Sequence, residues 1–189
     1  MSNVSVMIVG VGGQGTLLAS RILGNLVLGE GYDVKVSEVH GMSQRGGSVV
    51  TYLKYGEKVY SPIIDKGEAD VILAFEELEA YRALPFLKKG GKIIVNTQNI
   101  NPMPVITGKA KYPDNIIEKL KVSSNVVSID ALSLATKAGN IKSVNVVLIG
   151  LYAKNSGIAY EKWIETIKAT VPPKFLDINL TAFDLGYHY

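Results

Sequence analysis

The 189-residue chain has no cysteine and only two histidines, His40 and His188. The first absence excludes disulfides, a thiol nucleophile, thiolate-held zinc and cysteine-held iron–sulfur clusters. The second leaves too few imidazoles for a polyhistidine metal centre, so no metal-ligating residue is assigned. Charge of either sign is also thin: 20 basic against 17 acidic side chains, a net +3. No run of Lys or Arg is dense enough for a nucleic-acid or anionic-membrane footprint. No apolar run reaches the roughly 18–20 residues that span a bilayer. The opening MSNVSVMIVGVGGQG lacks a basic n-region and a cleavage site, which predicts no signal peptide. The expectation is a cytoplasmic protein with one domain over residues 1–189 and no nucleic-acid or membrane partner.

What is present alternates between strand and helix signals. Residues 4–9 form a short β-branched run that stops at a glycine cluster, and residues 16–28 continue with apolar positions at helical spacing. Residues 33–39 alternate as a second strand. Residues 48–55 and 58–60 flank Gly56-Glu57, which predicts a β-hairpin there. Residues 71–75 are wholly apolar, as in a strand buried on both faces. A helix over 76–84 should end at Pro85. Lys88-Lys89-Gly90-Gly91 reads as a turn into a strand at 92–95. Asp114 should open a helix over 115–120, and residues 125–129 read as a strand. Asp130 should cap a helix over 131–138, and Ser143 an apolar helix over 144–153. An amphipathic helix over 160–170 breaks at Pro172-Pro173, and a last helical segment covers 177–186. The fold class that follows is α/β: Rossmann-like, a mostly parallel sheet with helices on both faces and an antiparallel hairpin.

Gly10, Gly12 and Gly15 match G-x-G-x-x-G between a strand and a helix. Missing Cβ atoms permit a tight turn and a close approach, and the helix N-terminus favours an anion. Two readings stay open: a loop that cradles a nucleotide or coenzyme, and tight strand–helix packing or a subunit contact. Glu38 stands where a dinucleotide site would put its ribose-binding acid, but the distance fits only loosely. Gln14 adds a polar side chain that the dinucleotide pattern does not ask for. A side chain at Gly13 is expected to clash with facing backbone, and Gly13 itself is a candidate for positive φ.

The second dense segment runs from Glu38 to Ser48, with His40, Ser43, Gln44, Arg45, Gly46 and Gly47 within it. It follows a strand, at the sheet edge where α/β proteins place ligands. Arg45 has the fork to clamp a carboxylate or phosphate, and His40 titrates near neutral pH. The alternative is a loop whose polar groups satisfy one another, including an internal Arg45–Glu38 pair. With no nucleophile or metal set beside it, the segment points to binding or interface rather than to proton transfer. No catalytic residue is assigned.

These two segments, GVGGQGTLLASRIL and EVHGMSQRGGSV, resemble the gamma-type subunit of 2-oxoacid:ferredoxin oxidoreductases. The form HGMSQRGG is most similar to that of the small (beta) subunit of indolepyruvate:ferredoxin oxidoreductase. The likeness continues through VILAFEELEAYR (residues 71–82), NVVLIGLYA (145–153) and NLTAFDLGY (179–187). The resemblance implies a hetero-oligomeric complex that turns an aryl 2-oxoacid such as indolepyruvate, with coenzyme A, into aryl-acetyl-CoA and carbon dioxide. Electrons would pass to ferredoxin. It places thiamine diphosphate and iron–sulfur clusters on a large alpha subunit, with none of the cofactors assigned to this chain, which would be inactive alone. The small subunit would shape the site for substrate or coenzyme A, or hold the large subunit in place. Alternatives are a pyruvate or other 2-oxoacid gamma subunit, a free-standing dinucleotide-binding oxidoreductase resting on Gly10–Gly15 and Glu38 alone, and an assembly scaffold.

Overall fold

A computed structural model describes residues 3–39 and 46–189. In chain order the elements are β1 (Val4–Val11), α1 (Thr16–Gly29), β2 (Asp33–Val39), β3 (Ser48–Gly56), β4 (Ala69–Ala74), α2 (Glu77–Ala83), β5 (Leu87–Asn96) and the single turn α3 (Met103–Ile106). They continue with α4 (Ile116–Ser123), β6 (Asn125–Ile129), α5 (Ala131–Lys137), α6 (Val144–Lys154), α7 (Tyr160–Thr170) and α8 (Leu176–Tyr187). The strands form one six-stranded sheet in the order β2-β3-β1-β4-β5-β6. β1, β4, β5 and β6 pair in parallel, whereas β3 runs antiparallel to both β1 and β2.

The two-residue period of the strands sorts their side chains into two cores. Val6 and Ile8 of β1 point into the larger one, and Met7 and Val9 into the smaller. On the larger side α1 contributes Ala19, Ile22, Leu23, Leu26 and Val27, one helical stripe. Behind it α6 is buried from Val144 to Ala153. A helix apolar all round needs cover on every side, and α1, α5, α7 and α8 supply it. The smaller core is closed by Leu78, Ala80 and Ala83 of α2 and by Ile116, Ile117 and Leu120 of α4. Helices thus cover both faces of a mostly parallel sheet.

The hairpin lies elsewhere than at Gly56-Glu57. Strand β3 pairs back onto β2 from Val39↔Val50 to Asp33↔Gly56, and residues 58–60 are not a strand. The Gly56-Glu57 signal is local, but the long alternating run of β3 buries more by pairing with two strands than by turning at once. Lys88-Lys89-Gly90-Gly91 is likewise no turn before a strand but part of β5. The β4–β5 register shifts beside it, and a Cβ on Gly91 would lie 3.0 Å from the carbonyl oxygens of Ala69 and Asp70. The glycine is there for a close approach of two backbones at an irregular pairing. Asp130 caps α5 through the Ser133 amide, as its position predicts. Ser143 precedes α6 but makes no side-chain cap; its hydroxyl donates to the Asn140 carbonyl at 2.6 Å.

Candidate functional site

The glycine loop leaves the carboxyl end of β1 and enters α1 with Gly15 as the N-cap, at φ 84°, ψ 26°. Gly13 has φ 102°. Both conformations are in the left-handed region that only glycine adopts without strain. At Gly15 space is also short: a Cβ would stand 2.6 Å from Asn145 Nδ2 of α6. That amide donates to the Gly15 carbonyl at 3.1 Å, while its oxygen accepts from the Val146 amide at 2.9 Å. At Gly10 a Cβ would meet Phe75 Cβ at 3.0 Å. Gly13 is different from expectation, since nothing lies within 4 Å of a Cβ there. Its glycine answers to backbone angle, not to facing backbone.

Gln14 explains itself once the loop is folded. Its Oε1 accepts from the Val11 amide at 2.8 Å, and its Nε2 donates to the Phe75 carbonyl at 3.0 Å and to Gln98 Oε1 at 3.3 Å. The polar side chain that the dinucleotide pattern lacks is a strut between the turns after β1 and β4. The order of the sheet also moves Glu38. With β3 between β1 and β2, the end of β2 is two strands from the glycine loop, at about 4.8 Å per strand. A dinucleotide fold has its acid on the neighbouring strand. Glu38 Oε1 accepts from Ser20 Oγ of α1 at 3.3 Å.

The two glycine-rich segments meet. The Gly12 amide donates to the Gly47 carbonyl at 2.8 Å, and the Gly46 amide, with Gly46 at φ 79°, donates back to the Gly12 carbonyl at 3.3 Å. Beside this junction opens a cleft of about 300 Å³ whose walls include Gly12, Gly13, Leu17, Glu38, Val39 and Thr51. On the other flank of the loop a second cleft of about 490 Å³ is lined by Gln14, Gln98, Leu132, Lys142 and Asn145, among others. His40, Ser43, Gln44 and Arg45 lie outside the described residues, and so does the suggested Arg45–Glu38 pair.

Sequence reasoning passed over the groups that hold these loops. Glu76, fully buried, caps α2 through the Glu79 amide and also accepts from the Ile100 amide and from Tyr112 Oη. Burial, and then the hydrogen bond to Glu76, push the Tyr112 hydroxyl far above its usual range. Glu77 beside it is raised by burial and then by the charges of Glu76 and Glu118. Asn96, also fully buried, donates to the Phe75 carbonyl at 3.0 Å and accepts from the Ala131 amide at 3.1 Å. The available signal was a polar residue inside an otherwise apolar run, at Asn96 and Asn145, and two acids three apart at a helix start, Glu76 and Glu79. Among the described residues no group of three or more His, Asp or Glu side chains is placed to hold a metal ion.

Comparison with known proteins agrees with this architecture. Residues 5–189 match the family described as pyruvate ferredoxin/flavodoxin oxidoreductase. The indolepyruvate oxidoreductase subunit IorB of Thermococcus kodakarensis is 45% identical over 193 residues, covering 98% of this chain and 95% of that protein. The pyruvate/ketoisovalerate oxidoreductases common subunit gamma of Thermococcus litoralis is 28% identical, over 85% of this chain and 83% of its own. Among solved structures, the keto/oxoacid ferredoxin oxidoreductase gamma subunit from Geobacter sulfurreducens superposes with a TM-score of 0.73 at 21% identity, covering 98% of this chain and 96% of that one. The 2-oxoglutarate:ferredoxin oxidoreductase from Magnetococcus marinus, solved with 2-oxoglutarate, coenzyme A and succinyl-CoA, reaches 0.77 at 18% identity, over all of this chain and 31% of that chain.

Proposed function

The chain belongs to the pyruvate ferredoxin/flavodoxin oxidoreductase family, and from that premise we propose that it is the small subunit of an indolepyruvate-type 2-oxoacid:ferredoxin oxidoreductase. The observation that carries the reading is 45% identity to an indolepyruvate oxidoreductase subunit along nearly the whole of both chains. More distant gamma subunits, of pyruvate/ketoisovalerate oxidoreductases, are 27–28% identical.

The reaction needs a carbanion-stabilising cofactor and a path for electrons. Thiamine diphosphate supplies the first and iron–sulfur clusters the second. This chain's residues do not fit the clusters, because it has no cysteine to ligate them. Those groups belong, in this reading, to a large alpha subunit, and ferredoxin takes electrons from the complex as a whole. No helix among the described residues is long and apolar enough to cross a membrane. The contribution of this chain is a rigid wall. Gly12, Gly13, Gly15, Glu38 and the start of β3 form a cleft at the carboxyl end of the sheet, ready for coenzyme A, for the oxoacid or for a segment of the large subunit.

Co-expression with the large subunit tests the reading. The two chains together should oxidise indolepyruvate with coenzyme A and a dye acceptor, in preference to pyruvate, and neither chain should do so alone. Turnover by this chain without a second subunit would sink it. Protection of residues 10–17 from proteolysis by coenzyme A would mark the cleft as a ligand wall; protection by the large subunit alone would mark it as a contact.

A further inference from the structure

Helix α2 carries a carboxylate into its buried face. Glu79 is 4% exposed, and its two oxygens take separate partners. Ser48 Oγ donates to Oε2 at 2.5 Å, and Arg82 donates to Oε1 at 2.6 Å. Burying a carboxylate costs free energy that only good partners offset, and an apolar side chain of the same size packs without that cost. The position of its partner gives the carboxylate a use. Ser48 is the first residue of β3, pairs with Val11 of β1, and directly follows the Gly46–Gly47 backbone that bonds to Gly12. Without a fixed Ser48 that junction would hang on two glycines, the residues with the most backbone freedom to lose.

We propose that Glu79 is a positioning residue for the glycine-loop cleft. Arg82 holds its carboxylate in one orientation, the carboxylate holds the Ser48 hydroxyl, and Ser48 presses the Gly46–Ser48 backbone against Gly12. The same short helix fixes the other loops at this sheet edge. Glu76 takes the Ile100 amide and the Tyr112 hydroxyl, and Gln98 accepts through its carbonyl from the Glu77 amide. Thus α2 is the element from which the cleft walls are set, although none of its residues lines the cleft. The inference rests on the reading of the chain as the small subunit of a 2-oxoacid oxidoreductase complex and adds which buried acid sets the geometry of its cleft.

The test uses the complex with the large subunit and three variants: Ser48→Ala, Ser48→Thr and Glu79→Gln. Two quantities are read: amide hydrogen exchange in peptides covering Gly12 and Gly46–Ser48, and kcat and KM separately for coenzyme A and for the oxoacid. Ser48→Ala empties no core, so the fold survives it. It should speed exchange at Gly12 about ten-fold, the effect of losing one charge-assisted hydrogen bond. It should raise KM for one of the two substrates by a similar factor with kcat nearly unchanged. Ser48→Thr, which keeps the hydroxyl, should restore both, and Glu79→Gln should fall with Ser48→Ala. Unchanged exchange at Gly12 overturns the anchor. Faster exchange with both KM values unmoved overturns the positioning role. If the unaltered chain fails to support turnover by the large subunit, the functional reading falls, while exchange in the assembled chains still decides whether Glu79 sets the junction.

Discussion

Gln14 Nε2 donates to the carbonyl of Phe75 at 3.0 Å, so one side chain joins the turn after β1 to the turn after β4. These turns part at β1, with β2 and β3 to one side and β4, β5 and β6 to the other. Open α/β sheets offer a crevice at such a point. Here its floor is an amide whose oxygen also satisfies the Val11 N–H.

Gln14→Met keeps the length of the side chain and removes its hydrogen bonds. The Phe75 carbonyl retains Asn96 as a donor, so the main loss is the partner of the Val11 amide. Stability should fall by about 1–3 kcal/mol, the cost of a buried donor left unpaired. At this chain length that is about 3 °C in melting temperature per kcal/mol. Thermal melting checks it, and a variant that melts with the parent would show that the loop is held by something else.

Gly13 and Gly15 separate two reasons for glycine. Gly13→Ala meets only the strain of a left-handed backbone, about 1–2 kcal/mol. Gly15→Ala meets the same strain and in addition drives a Cβ against Asn145 Nδ2, so it should cost at least about 1 kcal/mol more. In a double-mutant cycle Asn145→Ala should relieve part of that excess. Denaturant midpoints of the four proteins give the coupling; additive losses would mean that Asn145 does not crowd the loop.

The elements with a strong period were legible. The bounds of β2, β6 and α7 fall where alternation or helical spacing puts them, and Pro85 ends α2 in a 3-10 turn at Leu84–Phe86. Long-range pairing was not legible. Gly56-Glu57 carries a good local turn signal, but nothing near it reveals that β3 will lie between β1 and β2. Gly90-Gly91 has the composition of a turn, and only the neighbouring strand shows that it is an irregular stretch of pairing. In the site, the glycine loop was visible from its spacing, and the role of Gln14 was not, because its partners Phe75 and Gln98 are 61 and 84 residues away.

Helices α6 and α8 pack backbone to backbone at Gly150 and Gly186. A Cβ on Gly150 would stand 2.2 Å from the Phe183 carbonyl oxygen, and one on Gly186 2.0 Å from that of Val147. Neither obstacle is the end of a flexible side chain, so the helices must separate to admit a methyl group. Gly150→Ala and Gly186→Ala should each cost about 1–3 kcal/mol or more, although alanine is the better helix former. A gain in melting temperature for either would show that α8 can move away from α6 without loss.

Four tyrosines make stability depend on alkaline pH. Tyr160 donates to Asp184, and that hydrogen bond, then burial, push its hydroxyl up to about 12. Burial is the first cause of upward shifts at Tyr55, Tyr112 and Tyr152. In each case the folded chain holds the neutral phenol more firmly than the unfolded chain, whose tyrosines ionise near about 10. A folded-state value raised above the unfolded one gives stability that is complete below the unfolded value and lost as pH climbs toward the folded value. For Tyr160 that window runs from about 10 to about 12, and the other three extend the loss in the same direction. Urea midpoints should therefore hold level up to about pH 9 and fall from about pH 10 upward, since phenols ionise there. Tyr160→Phe should lower the midpoint at neutral pH but make its fall above about pH 10 shallower, because one titrating group is gone. A variant whose alkaline slope matches the parent's would remove Tyr160 from the linkage and leave the buried tyrosines to account for it.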